Sequence, residues 1–301
     1  MELKAFAPGI YPRSQALVQA TRDLERGRTT EHAVDEQFER DLQQFVEAQE
    51  QAGLDLLADG LLRWHDIFRP LADRAEGLDA RPLTRFLDTN TFYRAVLVEG
   101  EPHLEDPLPA PNLPSGRWVA TLPSPLAFSF ASDRAASADA LARDVLAPQI
   151  EAYGAAGCAL VVLSEPFLAR EGGIEELRSA LSGLPDSVPL ALHLVFADAG
   201  AVIEDLADLP VDAIGVDFYS TSVDAIPTGF PKTILAGVVD VRSSAVEGVA
   251  EVARFAAALA DREPAGLSLV PNGDLQFVPE PIARRKLGVL GDARAPLQEV
   301  A

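Results

Sequence analysis

The chain has a single cysteine, Cys158, among 301 residues. One thiol cannot close an intrachain disulfide, which fits a reducing compartment. Counting also excludes a zinc site of four cysteines, or of two cysteines and two histidines. Cys158 opens an apolar stretch and reads as a small buried hydrophobe rather than a nucleophile. No apolar run approaches the ~18 residues of a membrane span, and the opening MELKAFAPGIYPR has no long apolar leader core. Positive charge is scarce: 25 Lys and Arg against 46 Asp and Glu leave a formal net charge of −21. Such a field repels phosphate backbones and anionic lipid, so neither nucleic acid nor membrane is an expected partner. The expected location is cytoplasmic. Short catalytic signatures are missing too: there is no GxGxxG after a strand, no GxxxxGK[ST] loop, no HExxH and no GxSxG elbow.

What the sequence does have is apolar content, 48% hydrophobic against 24% charged, enough to build a large core. Short Val-, Leu- and Ile-rich runs recur: Leu3–Ile10, Leu54–Asp59, Trp118–Leu122, Cys158–Leu163, Pro189–Val195, Ala213–Asp217, Ile234–Asp240 and Leu267–Val270. They show little polar alternation, as strands buried on both faces do. Between them lie amphipathic stretches. Thr30 can cap a helix to about Gln51, stopped by Gly53. Helices are predicted over Ala138–Ala156, kinked by Pro148, over Gly172–Leu181 and over Ala245–Ala260. A last one over Pro281–Leu290 is expected to turn Arg284, Arg285 and Lys286 to solvent. Eight runs alternating with helices predict a single (β/α)8 TIM barrel spanning 1–301. Residues 76–117, rich in proline, read as an irregular insertion after the second strand and not as a second domain. Within it Thr84–Thr89 and Phe92–Val98 could pair as a hairpin across Asn90 and Thr91.

In such a barrel the chemistry sits at the C-terminal strand ends. The polar residues closing the runs are Arg13; Asp59, Arg63, His65 and Asp66; Ser164 and Glu165; His193 and Asp198; Asp217 and Tyr219; Asp240 and Arg242; Asn272 and Asp274. A ring of this kind suits a small polar or charged molecule in the barrel mouth. Each has a structural alternative as well: strand-end Asp and Glu often cap the next helix, and a lone strand-end His often only bonds the scaffold. His32, His65 and His103 read as surface or supporting residues.

Six segments in order resemble the cobalamin-independent methionine synthase family, both its C-terminal catalytic barrel and its short archaeal-type form. They are PGIYPRSQAL from Pro8, AQEQAGLDLLADGLLRWHDIF from Ala48, ATLPSPLAF from Ala120, AAGCALVVLSEPFL from Ala155, LAGVVDVRSSAVEGVAEV from Leu235 and LSLVPNGDL from Leu267. The resemblance implies a barrel and a methyltransferase. It also implies a zinc ion that binds the substrate thiol as thiolate, held by a His, two Cys and a Glu. Here those positions read His193, Val195, Gly273 and Asp217. Both sulfur donors are gone, so zinc as in the family is not expected; His193, Asp217 and Asp274 remain as weak metal candidates, better suited to an oxygen-preferring ion. The family's Ser, Glu and Asp for the amino-acid end of homocysteine align with Ile10, Leu61 and Ser164, and its proton-shuttling His aligns with Arg242.

The resulting expectation is a divergent methionine-synthase-like barrel, in methionine biosynthesis by family resemblance, that binds or acts on a small molecule without the usual zinc-thiolate site. His193, Asp217 and Arg242 are the catalytic candidates. Arg13, Arg63, Ser164, Glu165, Tyr219 and Asn272 are the substrate-binding ones, and Arg13, Arg63 and Arg242 could hold an anionic group. Two alternatives stay open. One is an active homocysteine S-methyltransferase with an altered metal site and a corrinoid or folate methyl donor, a corrinoid protein then being a partner. The other is a catalytically silent binding or regulatory paralogue, partnered by a true family enzyme.

Overall fold

The structure is a computed structural model that describes residues 3–64, 66–87, 89 and 91–298. Its strands are β1 (Leu3–Ala5), β2 (Glu76–Arg85), β3 (Phe92–His103), β4 (Val119–Pro123), β5 (Leu160–Glu165), β6 (Leu190–Leu194), β7 (Ala213–Asp217), β8 (Thr233–Val239) and β9 (Gly266–Pro271). Seven of them form one parallel sheet in the order β1-β9-β8-β7-β6-β5-β4. Every residue of β4, β6, β7 and β9 is buried, so the unalternating apolar runs do mark strands covered on both faces. The sheet curls until its two edges meet a common segment. The Asp55 amide donates to Ala5 O of β1 at 2.9 Å, and Leu57 pairs with the β4 edge through Leu57 N to Arg117 O and Val119 N to Leu57 O, both 2.9 Å.

That segment corrects the expected second strand. Leu54–Asp59 contributes one isolated bridge, Leu57 to Trp118. The reason is Gln49, fully buried on the Glu31–Gln51 helix. Its amide donates to Ala58 O at 2.9 Å and accepts from Ala58 N at 2.8 Å, taking the backbone groups a neighbouring strand would use. The first run is also shorter than expected. After Ala5 the chain turns at Gly9 (φ +88), where a Cβ would stand 2.1 Å from Asp274 Oδ1, so glycine is required.

The predicted Ala138–Ala156 helix exists in three parts: Ala138–Leu141, a π segment Ala142–Leu146, and Ala147–Ala155. Pro148 has no N–H for the Asp144 carbonyl four residues back; Leu104 N supplies it instead at 2.9 Å. Paired glycines at 172 and 173, both with positive φ, delay the next helix to Ile174–Ser182. The Ala245 helix begins only at Val249. The last helix runs Glu280–Gln298, and one of its residues overturns an expectation. Lys286 is fully buried, not solvated. Its Nζ donates to both Glu247 oxygens at 2.7 and 2.9 Å and to Ala245 O at 2.6 Å. Residues 76–117 are more regular than their prolines suggest: β2 and β3 form a long antiparallel hairpin with Thr84 opposite Tyr93, while Asn90 lies outside the described residues. Asp66 ties the hairpin down, accepting Arg94 N at 3.0 Å as well as Phe68 N and Arg69 N of the following turn.

Candidate functional site

All seven parallel strands end on one side of the sheet, and there the β5, β6 and β9 ends and the hairpin enclose a narrow cleft of about 30 Å³. Ser164, Val195, Phe196, Asp274, Gln276 and Ile10 line it from the sheet side; Phe68 and the hairpin residues Phe86, Phe92 and Tyr93 close it. Among the described residues, no Lys or Arg lines it.

His193 lies one layer below. Its register partners are Ser164 on β5 and Gly215 on β7, and it precedes Val195 by two residues, so its side chain shares their inner face. A Cβ at Gly215 would stand 2.4 Å from the imidazole; that glycine makes the room. The ring is 4% exposed and its Nε2 has no hydrogen-bond partner. Burial pushes its pKa down to about 4, so the imidazole is neutral at pH 7.

The β7–β9 side is built oppositely. Asp217 Oδ1 accepts Tyr219 N (2.9 Å) and Asn272 Nδ2 (3.0 Å), and Oδ2 accepts the Ser220 hydroxyl (2.9 Å). Asn272 also accepts Val241 N at 2.9 Å and reaches Asp240 Oδ1 at 3.4 Å. Burial nevertheless raises the Asp217 pKa, and Asp240 adds to the shift. Asp274 sits at the cleft wall, accepting Ile10 N at 3.0 Å and Gln276 Nε2 at 3.2 Å; burial lifts its pKa to about 6.

Phe196 was not among the sequence candidates and has the most unusual geometry of the site. Its φ is +58, a region bulky side chains avoid. The turn is held by Arg170 Nη2, which donates to Phe196 O. The ring packs edge-on against Phe277 (5.3 Å), and the Arg242 guanidinium lies 5.5 Å from its centre. A Cβ at Gly273 would meet its tip at 2.6 Å. The aromatic side chain therefore fills the space that a residue at 273 would use.

Other candidates stand elsewhere. Glu165 is buried with its oxygens committed to Ser124 Oγ, Phe167 N and Leu168 N. Arg13 and Arg63 lie by Phe38 on the outer helix; Arg13 donates to Trp64 O, and Arg63 pairs with Asp35 (2.5 Å) and Glu39 (3.0 Å). Tyr219 is 53% exposed, its hydroxyl 3.3 Å from Glu247. Neither these arginines nor Tyr219 line the cleft. Asp198 caps its own turn through Gly200 N. His32 is exposed beside Glu36, and His65 lies outside the described residues. Among the described residues, no three of His, Cys, Asp and Glu are placed to hold a metal ion, so His193, Asp217 and Asp274 do not form a ligand set. No helix among them is long and apolar enough to cross a membrane. Cys158 is buried, with its pKa raised to about 11 by burial.

Sequence reading found the hairpin but missed that its aromatic residues line the cleft, and it missed Phe196 and the burial of Lys286. The last was detectable: Ala283, Lys286, Leu287 and Leu290 share a helical face, so Lys286 falls on the buried side. Nothing local marks Phe196, whose partners at 273 and 277 lie some eighty residues away.

The family model described as "Cobalamin-independent synthase, Catalytic domain" matches residues 125–294. The chain is 26% identical over 274 residues to a 5-methyltetrahydropteroyltriglutamate–homocysteine methyltransferase of Mycolicibacterium paratuberculosis, with 81% of this chain and 36% of that protein covered. A protein of the same name from Streptomyces griseus is 24% identical, with 81% and 35% covered. The chain thus spans about a third of the length of these relatives. In structure it is similar to a B12-independent methionine synthase from Shewanella sp. W3-18-1 in complex with selenomethionine, with TM-score 0.75 at 16% identity over 99% of this chain and 98% of that one.

Proposed function

This chain belongs to the cobalamin-independent synthase catalytic-domain family, and on that premise we propose a divergent methionine-synthase-like methyltransferase that takes a small molecule at the strand-end cleft without a thiolate-held zinc. The carrying observation is Phe196 over Gly273. Position 195 is an apolar Val, position 273 has no side chain, and an aromatic ring stands where one would project. Asp217 spends its oxygens on three donors of the chain. His193 alone keeps a free nitrogen, and one imidazole does not hold zinc. The residues do not fit the metal, and no step is routed through it.

The cleft's chemistry selects against anions. It has aromatic walls and, among the described residues, no cation, and burial lifts Asp274 to about 6, where it can exchange a proton near neutral pH. We assign ligand contact to Ser164, Asp274 and Phe196, with neutral His193 beneath as the hydrogen-bonding and proton-accepting group. Asp217 and Asn272 hold the mouth in shape, and Arg242 backs Phe196. The expectation that Arg13, Arg63 and Arg242 grip an anion finds no support in this lining. We also read the curled sheet as a (β/α)8 barrel, with Leu54–Asp59 as the remaining stave and 76–117 as an insertion of a single domain. The bonds from Asp55 to Ala5 and from Leu57 to the β4 edge support this.

The test is a zinc titration of the purified chain, with metal content measured after dialysis, alongside methyl transfer to homocysteine. Substoichiometric zinc and no chelator-sensitive transfer are expected. Stoichiometric zinc lost in His193→Ala, together with chelator-sensitive transfer, defeats the proposal and restores the homocysteine methyltransferase reading.

A further inference from the structure

A second cavity of about 350 Å³ lies outside the mouth, between the Glu31–Gln51 helix, the Asp59–Trp64 turn and the proline-rich segment around Leu108–Asn112. Its walls are apolar, from Phe38, Leu42, Trp64, Leu108 and Pro111. Glu39, Arg63 and Asn112 also stand in the lining, and two further polar side chains, Tyr153 and Asp59, carry the argument. Tyr153 is 4% exposed, and its hydroxyl has no hydrogen-bond partner among the described residues. Asp59 accepts the Leu61 amide at 3.0 Å through Oδ1, and no side chain donates to either of its oxygens. Burial raises the pKa of both, and the Asp59 charge raises that of Tyr153 further, so the two face a shared, poorly hydrated space.

The Tyr153 hydroxyl and the Asp59 carboxylate both have acceptor capacity that no side chain uses, and both line the same cavity, where a ligand donor can take it up. The charge of that ligand follows from the surroundings. The rim has Glu39, and the described cations beside it are engaged: Arg63 pairs with Asp35 and Glu39, and Arg13, by Phe38, donates to Trp64 O. An anion would meet Asp59 without compensation. A protonated amine meets a carboxylate and a phenol oxygen as acceptors, and its carbon body meets rings and prolines.

We propose that this cavity is a binding site for a small primary amine with an apolar or aromatic body, its ammonium held by Asp59 and the Tyr153 hydroxyl oxygen. The site is separate from the mouth: the residues lining the two cavities do not overlap.

Benzylamine is the probe, titrated into the full-length chain by calorimetry and followed by tryptophan fluorescence, since Trp64 lines the cavity. Saturable one-to-one binding is expected, with benzoate silent and benzyl alcohol at least about tenfold weaker for want of the charge. Asp59→Asn should weaken benzylamine about tenfold or more. Tyr153→Phe should weaken it about threefold. Asp274→Asn, in the mouth, should change nothing. The proposal fails if benzylamine does not saturate, if benzyl alcohol binds equally well, or if Asp274→Asn and not Asp59→Asn abolishes binding. Should Asp59→Asn not fold by circular dichroism, Tyr153→Phe decides, and unchanged affinity in that variant overturns the assignment.

Discussion

On the β7–β9 side of the mouth, the polar groups of Asp217, Asn272 and Glu247 are all engaged within the chain; on the β5–β6 side, His193 Nε2 has no partner and Phe196 is held in a disfavoured backbone conformation. Buried networks with every member paired rigidify a fold. Strain and unpaired atoms persist only where surrounding structure enforces them, and they collect where ligands bind. We infer that a ligand gains its binding energy on the β5–β6 side and from Asp274, which faces that side across the cleft, while Asp217, Asn272 and Glu247 hold the wall. The contrast sets Asp217 and Asn272, whose polar groups are engaged within the chain, apart from His193, whose Nε2 has no partner.

The sharpest way to break this comparison is to open the paired half. Lys286→Ala leaves Glu247 in the interior without its cation, and a stability loss of about 3–5 kcal/mol is expected in denaturant unfolding. Lys286→Met with Glu247→Gln should recover most of it. Gly237→Ala comes next. Its Cβ would stand 2.7 Å from Val216 O and 2.9 Å from Asn272 Cα, backbone atoms that cannot swing away. A loss of about 2–4 kcal/mol is expected, read as a fall in Tm.

pH separates the two groups near the cleft. Burial lowers the His193 pKa from 6.5 to about 4, so its contribution is complete above 6.5 and lost as pH falls toward 4. Asp274 moves the other way, from 3.8 to about 6; its contribution is complete below 3.8 and lost as pH rises through 6. Each limb amounts to roughly 1–3 kcal/mol. Unfolding curves collected from pH 4 to 7 should lose the acid-side decline in His193→Phe. In Asp274→Asn they should lose the opposing decline toward neutrality. Identical profiles in wild type and both variants would show that neither group titrates as its burial requires.

The smallest effect belongs to the strained half. Gly273→Ala meets only the tip of the Phe196 ring at 2.6 Å, and that ring can yield, so about 1 kcal/mol is expected. A double-mutant cycle with Phe196→Ala should show the cost vanish. Additive losses would mean that Phe196 does not guard position 273.

Most of the sheet was legible in the sequence, because strands buried on both faces must be continuously apolar, and β4, β6, β7 and β9 are. The lack of a second thiol, the acidic charge and the placement of polar residues after the strands were likewise fixed by local composition. Tertiary structure alone decided the rest. Gln49 captures the Ala58 backbone and leaves Leu54–Asp59 a single bridge. That Glu247 is the partner of Lys286 was decided there too, although the buried helix face of Lys286 is readable in the sequence. Phe196 occupies the space beside Gly273, and the hairpin brings Phe86, Phe92 and Tyr93 across the mouth. Each depends on partners tens of residues away, and periodicity reports only which face of an element is buried, not what it meets there.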